Sequence, residues 1–298
     1  MSIAAAWSWD KKLSLTNILY GYNHRLAAIL VLFVALGVSG CQAVGFGSSD
    51  KVDTYVERQV DDLYNEAADS LAAREFESAA TQFEEVERQH PYSKWAQRAL
   101  LMSAYAYYEK EDYESAISAA ERYMALHPSS DAAPYAQYLV ANSYYEQIGD
   151  VRRDQEITRQ ALRELEDLVR RYPNTDYARD SKLKVELTRD HLAGKEMDVG
   201  RYYLKDRAFV AAINRFRVVV TDFQTTAHVE EALARLAEAY MALGVASEAQ
   251  TAAAILGHNY PSSSWYENTY ILLKSSGLAP RVDSKSWISR AWKQIAPA

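Results

Sequence analysis

Cysteine, glycine and proline are scarce: the 298 residues include one cysteine, 11 glycines and 7 prolines. A single cysteine, Cys41, excludes an intramolecular disulfide and a metal cluster held by several thiolates. Few glycines and prolines, alongside abundant alanine, leucine, glutamate and arginine, favour helix over sheet. The composition therefore predicts a helical protein without covalent crosslinks.

A basic footprint and the usual catalytic motifs are also missing from the sequence. The net charge is −7 and no long run of Lys and Arg occurs, which argues against a nucleic-acid partner. We find no G-x-S-x-G elbow, phosphate-binding loop, H-E-x-x-H pair or dinucleotide fingerprint. His90 and His127 each stand directly before a proline, where a basic ring suits the end of a helix. We therefore expect no enzyme, no cofactor and no metal site.

One apolar stretch stands out near the N-terminus, LAAILVLFVALGVSG at residues 26–40. Basic residues such as Arg25 precede it, and this layout is typical of an export signal. Fifteen residues are too few to cross a bilayer, which takes about 20. The stretch ends in Val38-Ser39-Gly40-Cys41, which resembles the lipobox of bacterial lipoproteins. The alternative is an uncleaved N-terminal anchor with an incidental cysteine.

The lipobox resemblance divides the N-terminal region. It implies a signal peptide over residues 1–40 and a lipidated flexible tether over residues 41–52, with an N-acyl diacylglycerol on Cys41. Two or three acyl chains hold a protein durably, whereas one chain holds it marginally. Among lipoproteins of two-membrane bacteria, Gln42 in place of aspartate favours the outer membrane.

A pattern recurs five times along the rest of the chain. Its markers are Pro91, Pro128, Pro173, Gln224 and Pro261. Twelve residues before them lie Ala79, Ala116, Ala161, Ala212 and Ala249, and two residues after them lie Ser93, Ser130, Thr175, Thr226 and Ser263. An alanine lets two helices approach closely, a proline ends a helix, and a hydroxyl caps the next one.

This pattern predicts an all-α fold, a tetratricopeptide-repeat α-solenoid with five helical hairpins plus a C-terminal helix. We assign the five-repeat domain to residues 53–274. The alanines are 37, 45, 51 and 37 residues apart, against a usual repeat of about 34. We therefore expect insertions or extended helices near residues 148–157 and 191–203. They either project as binding elements or add helix turns packed against the neighbouring repeat.

Residues 275–298 form a C-terminal tail in this division. Trp287, Ile288, Trp292 and Ile295 are spaced to share one face of a short helix. The tail either binds a partner, lies on the membrane surface or is loose.

Eight of the 22 tyrosines fall late in the predicted first helices of hairpins. They are Tyr105, Tyr107, Tyr108, Tyr144, Tyr145, Tyr202, Tyr203 and Tyr240. Tyrosine offers a flat apolar ring and a hydroxyl at low entropy cost, which suits the recognition of extended peptides. Most of these side chains should pack between repeats, and the remainder should line a groove.

Four segments besides the lipobox carry a family resemblance. They are FEEVERQHPYS at 83–93, AYAYY at 104–108, YYEQI at 144–148 and EMDVGRYY at 196–203. The chain resembles the BamD (ComL) family of outer-membrane assembly lipoproteins over residues 55–273. The last segment is the most specific, since tetratricopeptide repeats in general do not need it.

The resemblance implies a non-catalytic scaffold on the periplasmic face of the outer membrane. Its C-terminal repeats would dock a POTRA domain of the barrel-forming insertase, and its N-terminal repeats would present a groove to unfolded outer-membrane β-barrel proteins. The family ties an Asn-Arg pair to the POTRA contact, here Asn214 and Arg215. The other candidate contact residues are Tyr105, Tyr108, Tyr144, Arg201 and Tyr202.

Three alternatives stay open at this point. In the first, Arg215 binds no partner and is only a solvent-exposed charge on its own helix. The second is a different periplasmic tetratricopeptide lipoprotein that scaffolds cell-envelope or division enzymes, against which Val199–Tyr203 argues. The third is a hydrolase on a helical scaffold, for which the sequence offers no nucleophile constellation.

Overall fold

The computed structural model describes residues 58–293, which form twelve α-helices and no strand. The predicted signal peptide, Cys41 and the tether lie outside the described residues, as does Ile295. Within the described part of the chain, no helix is both long and apolar enough to cross a membrane.

The helices follow one another with short connections. In chain order they are α1 (Val60–Ala72), α2 (Phe76–Gln89), α3 (Lys94–Glu109), α4 (Tyr113–Leu126), α5 (Ala133–Glu146), α6 (Glu156–Arg171), α7 (Asp176–Lys205), α8 (Phe209–Asp222), α9 (Val229–Ala242), α10 (Ala246–Asn259), α11 (Ser264–Ser275) and α12 (Trp287–Lys293).

These helices pair as the repeat pattern predicts. The five hairpins are α1–α2, α3–α4, α5–α6, α7–α8 and α9–α10, and each packs on the next. The first helices of the first four hairpins also touch in succession, α1 with α3, α3 with α5 and α5 with α7. Helix α11 covers α9 and α10. The tetratricopeptide solenoid of five hairpins followed by a C-terminal helix is confirmed.

The five repeated alanines lie where helices meet. Ala79, Ala116, Ala161, Ala212 and Ala249 are all 0% exposed. A larger side chain at any of them would force two helices apart, because a packed interior has no room for added methylenes. The predicted role of the alanines is confirmed.

The predicted helix caps are confirmed in three repeats and wrong in two. Ser93 Oγ accepts from the Ala96 amide, and Thr175 and Ser263 cap α7 and α11 in the same way. Ser130 and Thr226 do not cap a helix. A further turn follows each of them, so that α5 and α9 begin later, after Ala132 and His228, neither of which makes a side-chain cap.

The expected insertions are a loop and an extended helix. Residues 147–155 connect α5 to α6, and α7 is 30 residues long. Lys195 Nζ on α7 donates to the Arg152 carbonyl at 3.0 Å, and the loop is closed by Gln155 Nε2, which donates to carbonyls of Asp150 and Arg153. The loop is therefore tied to α7 and closed on itself by hydrogen bonds, while most of its side chains are exposed to solvent.

The tail packs on the last two hairpins, with α12 against α8 and α10. Ile288 is 0% exposed, Trp287 Nε1 donates to the Tyr240 hydroxyl at 2.7 Å, and the Arg217 guanidinium lies 4.7 Å from the centre of the Trp287 ring. The predicted short helix is confirmed. Of the three alternatives, a loose tail does not fit residues 278–293.

Candidate functional site

Six half-buried tyrosines lie on neighbouring first helices, and we call this surface the tyrosine face. Its members are Tyr105 and Tyr108 on α3, Tyr135, Tyr138 and Tyr145 on α5, and Tyr177 on α7. The Tyr177 ring centre lies 5.5 Å from that of Tyr135 and 5.1 Å from that of Tyr138. The contacts of α3 with α5 and of α5 with α7 bring the six together.

Lys184 on α7 holds the tyrosine face in place. Its Nζ lies 5.2 Å and 5.3 Å from the ring centres of Tyr138 and Tyr145, within the range of cation–π attraction. The same atom donates to Asn142 Oδ1 at 2.7 Å and pairs with Asp180 at 3.1 Å. The Tyr138 hydroxyl donates to Asp180 Oδ2 at 2.8 Å. These bonds fix the rings before any ligand arrives, which lowers the entropy cost of binding.

Burial keeps the hydroxyls of Tyr105, Tyr108 and Tyr135 neutral near physiological pH, because it raises the pKa of each above its ordinary value. Burial, reinforced by the nearby negative charge of Glu146, raises the pKa of Tyr108 to about 12. Burial is also the main cause that raises the pKa of Tyr135. A neutral phenol both donates and accepts a hydrogen bond, so the face presents apolar rings edged with groups able to bond a backbone.

Alkaline pH should therefore destabilise the N-terminal repeats. The pKa of Tyr107, like that of Tyr108, is raised to about 12, chiefly by burial, against about 10 in an unfolded chain. The stability from these neutral hydroxyls is fully present below about pH 10 and is lost as the pH rises through their folded pKa. Urea midpoints between pH 8 and 11 should fall. The double variant Tyr107→Phe, Tyr108→Phe should fall less; a parallel fall in both proteins would contradict the assignment.

The candidate tyrosines divide between two sides of the stack. Tyr105 and Tyr108 belong to the tyrosine face. Tyr144 instead lies close to Glu121 of α4 and Glu164 of α6, near enough that both charges help to raise its pKa after burial, the largest cause. Tyr107 also points to the second helices, since its hydroxyl donates to Glu84 of α2 at 3.0 Å. The structure does not bring Tyr144 together with Tyr105 and Tyr108.

The remaining candidates lie on the fourth hairpin. Arg201 Nη1 pairs with Glu231 Oε2 of α9 at 2.8 Å, and the adjacent Tyr202 is 66% exposed. On α8, Asn214 is exposed and Arg215 Nη1 pairs with Glu196 Oε2 of α7 at 3.2 Å.

Arg201 and the partner of Arg215, Glu196, lie on different sides of α7. Positions 196 and 201 are five residues apart, which turns them about 140° from each other around the helix. Arg215, bound to Glu196, therefore does not join Arg201 in one cluster. The side chains of Arg201 and Arg215 are 40% and 45% exposed, and a guanidinium with five N–H donors keeps several free for a partner.

Sequence reasoning missed Tyr135, Tyr138, Tyr177 and Lys184. They lie early in their helices, whereas the sequence pattern predicted contacts for aromatic residues late in first helices. The sequence did carry an indication of this site. Asp180 and Lys184 are spaced i, i+4 on α7, which predicts an ion pair on one helix face, and they follow Tyr177 by about one turn. In the described part of the chain, no group of three or more His, Cys, Asp and Glu side chains forms a candidate metal site.

Proteins similar to this chain in sequence agree on one family. The family described as "YfiO: Outer membrane lipoprotein" matches residues 56–256. The "Outer membrane protein assembly factor BamD" of Caulobacter vibrioides is 47% identical over 86% of this chain and 83% of its own length. Its counterparts in Rickettsia prowazekii and Neisseria meningitidis serogroup A are 42% and 32% identical, over 84% and 79% of this chain and 96% and 91% of their own lengths. The chain therefore belongs to the YfiO (BamD) family of outer membrane lipoproteins.

Proposed function

We propose that the chain is a scaffold lipoprotein of the β-barrel assembly machinery, held at the periplasmic face of the outer membrane by acyl chains on Cys41. As a BamD family member it is an outer membrane protein assembly factor. It works by positioning partners: one part of the solenoid receives unfolded outer-membrane β-barrel proteins, and another holds the barrel insertase.

The tyrosine face is the surface for unfolded clients. The observation that carries this assignment is the row of six half-buried rings across three consecutive first helices, with Lys184 among them. Aromatic rings bind apolar side chains of any sequence, and neutral hydroxyls bond an exposed backbone. A chain that has not yet folded offers both. The face therefore suits clients that share an extended, partly apolar segment and little else.

The fourth hairpin is the surface for the insertase's POTRA domain. Tyr202 projects as an exposed aromatic, and Asn214 and Arg215 lie on α8, away from the tyrosine face on α3, α5 and the start of α7. Tyrosine and arginine are the residue types enriched in interface hot spots, and here they stand on two sides of the same hairpin, Arg201 and Tyr202 on one and Arg215 on the other. Because the tyrosine face ends at the start of α7 and the second surface lies at the end of α7 and on α8, a client and the insertase can be held at the same time.

Two double variants, one on the tyrosine face and one facing the second helices, test whether client binding depends on the tyrosine face or on packing in general. Tyr105→Ala with Tyr108→Ala should weaken binding of a synthetic C-terminal-strand peptide of a barrel protein about tenfold, as loss of a hot spot does. Tyr107→Ala with Tyr144→Ala should leave the peptide affinity unchanged, since these side chains face the second helices. Fluorescence anisotropy gives the affinities, and melting curves check that both variants fold. An equal loss in both would contradict the tyrosine face as the client site.

The lipid anchor has its own test. Cys41→Ala leaves no thiol to acylate, and each acyl CH₂ removed from the bilayer forfeits about 0.8 kcal/mol. The variant should keep its signal sequence, carry no acyl chain and be absent from the outer-membrane fraction. The control Ser48→Ala, in the tether, should be acylated and found in the outer-membrane fraction. Density-gradient fractionation with palmitate labelling measures both. A Cys41→Ala protein found acylated in the outer membrane would contradict the anchor.

A further inference from the structure

The described chain begins at a fixed point on the stack. The Arg58 amide donates to Gln89 Oε1 at 3.1 Å, and the Arg58 carbonyl lies 2.7 Å from His90 Nε2. Gln89 and His90 are the end of α2. The polypeptide that leads back to Cys41 therefore departs beside the turn from α2 to α3.

That turn belongs to an exposed, partly apolar edge, which we call the N-terminal edge and define by Pro91, Tyr92, Lys94 and Leu126. All four line one groove of about 400 Å³. Tyr92 is 101% exposed and Leu126 is 58% exposed. Lys94 forms no ion pair with any residue in 58–293.

These apolar side chains are not part of the repeat pattern. The residues that follow the other four markers, as Tyr92 follows Pro91, are Ser129, Asn174, Thr225 and Ser262. Leu126 lies two residues before the marker Pro128. The residues two positions before the other four markers are Gln89, Arg171, Asp222 and Asn259. All eight equivalents are polar. The apolar pair is therefore confined to the first two inter-repeat turns, next to the departure point of the chain.

We propose that the N-terminal edge contacts the phospholipid surface next to the lipid anchor, with Tyr92 and Leu126 in the headgroup region and Lys94 on lipid phosphates. This rests on the acylation of Cys41 in the proposed function. The 17 residues 41–57 reach at most about 60 Å, so Arg58 and the edge beside it stay within that distance of the bilayer. An amphipathic tyrosine suits the membrane interface, and a lysine suits anionic headgroups.

The wider geometry agrees with a lipid surface as the occupant. A surface confined to two turns at one edge is small for a stable protein interface, which buries about 800 Å² on each partner. It needs to contribute little affinity, because the acyl chains already hold the protein at the membrane. Its consequence is orientation: the edge on the bilayer would fix which way the tyrosine face and the fourth hairpin point.

The single cysteine of the chain makes this directly measurable. In acylated full-length protein Cys41 is blocked, so Tyr92→Cys and Leu126→Cys each create one reactive thiol for an environment-sensitive fluorophore. Matched controls are Tyr202→Cys and Leu183→Cys, at positions 66% and 65% exposed. Each protein is placed in phosphatidylethanolamine–phosphatidylglycerol vesicles that carry nitroxide-labelled lipid. Labels at 92 and 126 should shift to the blue and be quenched, and the control labels should not.

Each other outcome overturns the proposal in a distinguishable way. Protein that fails to float with the vesicles contradicts the anchor, and with it the contact. Protein that floats while all four labels behave alike contradicts the contact and leaves the anchor standing. Labels at 92 and 126 that respond without vesicles, on addition of the purified insertase, would assign the edge to a protein partner. Lys94→Glu should reduce the quenching at position 92, and unchanged quenching would remove Lys94 from the contact.

Discussion

Gly200→Ala should destabilise the fourth hairpin by about 2 kcal/mol, although alanine is the better helix former. A Cβ at position 200 would lie 2.4 Å from Phe216 Cε1, and Phe216 is 0% exposed in the C-terminal core, so its ring cannot move away. Overpacking of this kind costs about 1–3 kcal/mol or more and outweighs the gain of about 1 kcal/mol in helix propensity. Urea denaturation should record the loss, and hydrogen exchange should place it on α7 and α8.

The same helix supplies the matched control, Gly194→Ala. There the added Cβ meets the His228 ring, with Nε2 at 3.2 Å and Cε1 at 3.8 Å, and Val151 Cγ1 at 3.9 Å. All three atoms belong to side chains, and the His228 side chain is 27% exposed and can shift. The helix-propensity gain should then dominate, so that stability stays unchanged or rises. If Gly200→Ala were as well tolerated as Gly194→Ala, the close approach of α7 and α8 would not be a determinant of the fold.

Gly200 also explains the most specific part of the family resemblance. Gly200 lets the Phe216 ring lie directly on the α7 backbone, and the next two residues are Arg201 and Tyr202. Arg201 reaches Glu231 of α9, and Tyr202 is exposed. The segment Val199–Tyr203 therefore joins a packing requirement to a candidate docking surface within five residues.

Most of the fold could be read from local spacing, because the solenoid is built from contacts between neighbours in sequence. Ala79 and Ala116 are buried where the repeat placed them. The pattern failed where geometry depended on an extra turn. Ser130 and Thr226 stand at the capping position by count, yet α5 and α9 begin after Ala132 and His228, and residue spacing alone does not register such a turn.

The candidate site was less predictable than the fold. Tyr138 and Lys184 meet across two hairpins, and nothing in the spacing within one helix says which side chains of the next repeat lie opposite. Adjacent tyrosines also point in different directions. The Tyr107 hydroxyl donates to Glu84, whereas Tyr108 lies on the tyrosine face. Helical spacing identified candidate aromatic residues, and only the packing of hairpin on hairpin sorted them.

The packing position of the tail was the least predictable feature, since the Trp287 indole donates to a side chain 47 residues away. Loosening the tail from the last two hairpins should have a large effect on stability. Ile288→Ala should cost about 2–5 kcal/mol, the range for truncating a buried isoleucine, because Ile288 is 0% exposed within the core that includes Val220, Leu256 and Leu273. Val282→Ala truncates an aliphatic side chain of the same segment at a position 56% exposed and should stay within about 0.5 kcal/mol of the parent.

The functional consequence follows from where the tail is attached. Trp287 stacks under Arg217 of α8, two residues beyond Arg215, so loosening α12 should disturb the surface proposed for the POTRA domain. Ile288→Ala should therefore weaken insertase binding while peptide binding at Tyr105 and Tyr108, the part of the tyrosine face on the second hairpin and two hairpins before α8, stays unchanged. Because neighbouring repeats couple and distant ones do not, a simultaneous loss of both would mean that the solenoid unfolds as one unit. Unchanged stability and binding would mean that α12 rests on the last hairpins without supporting them.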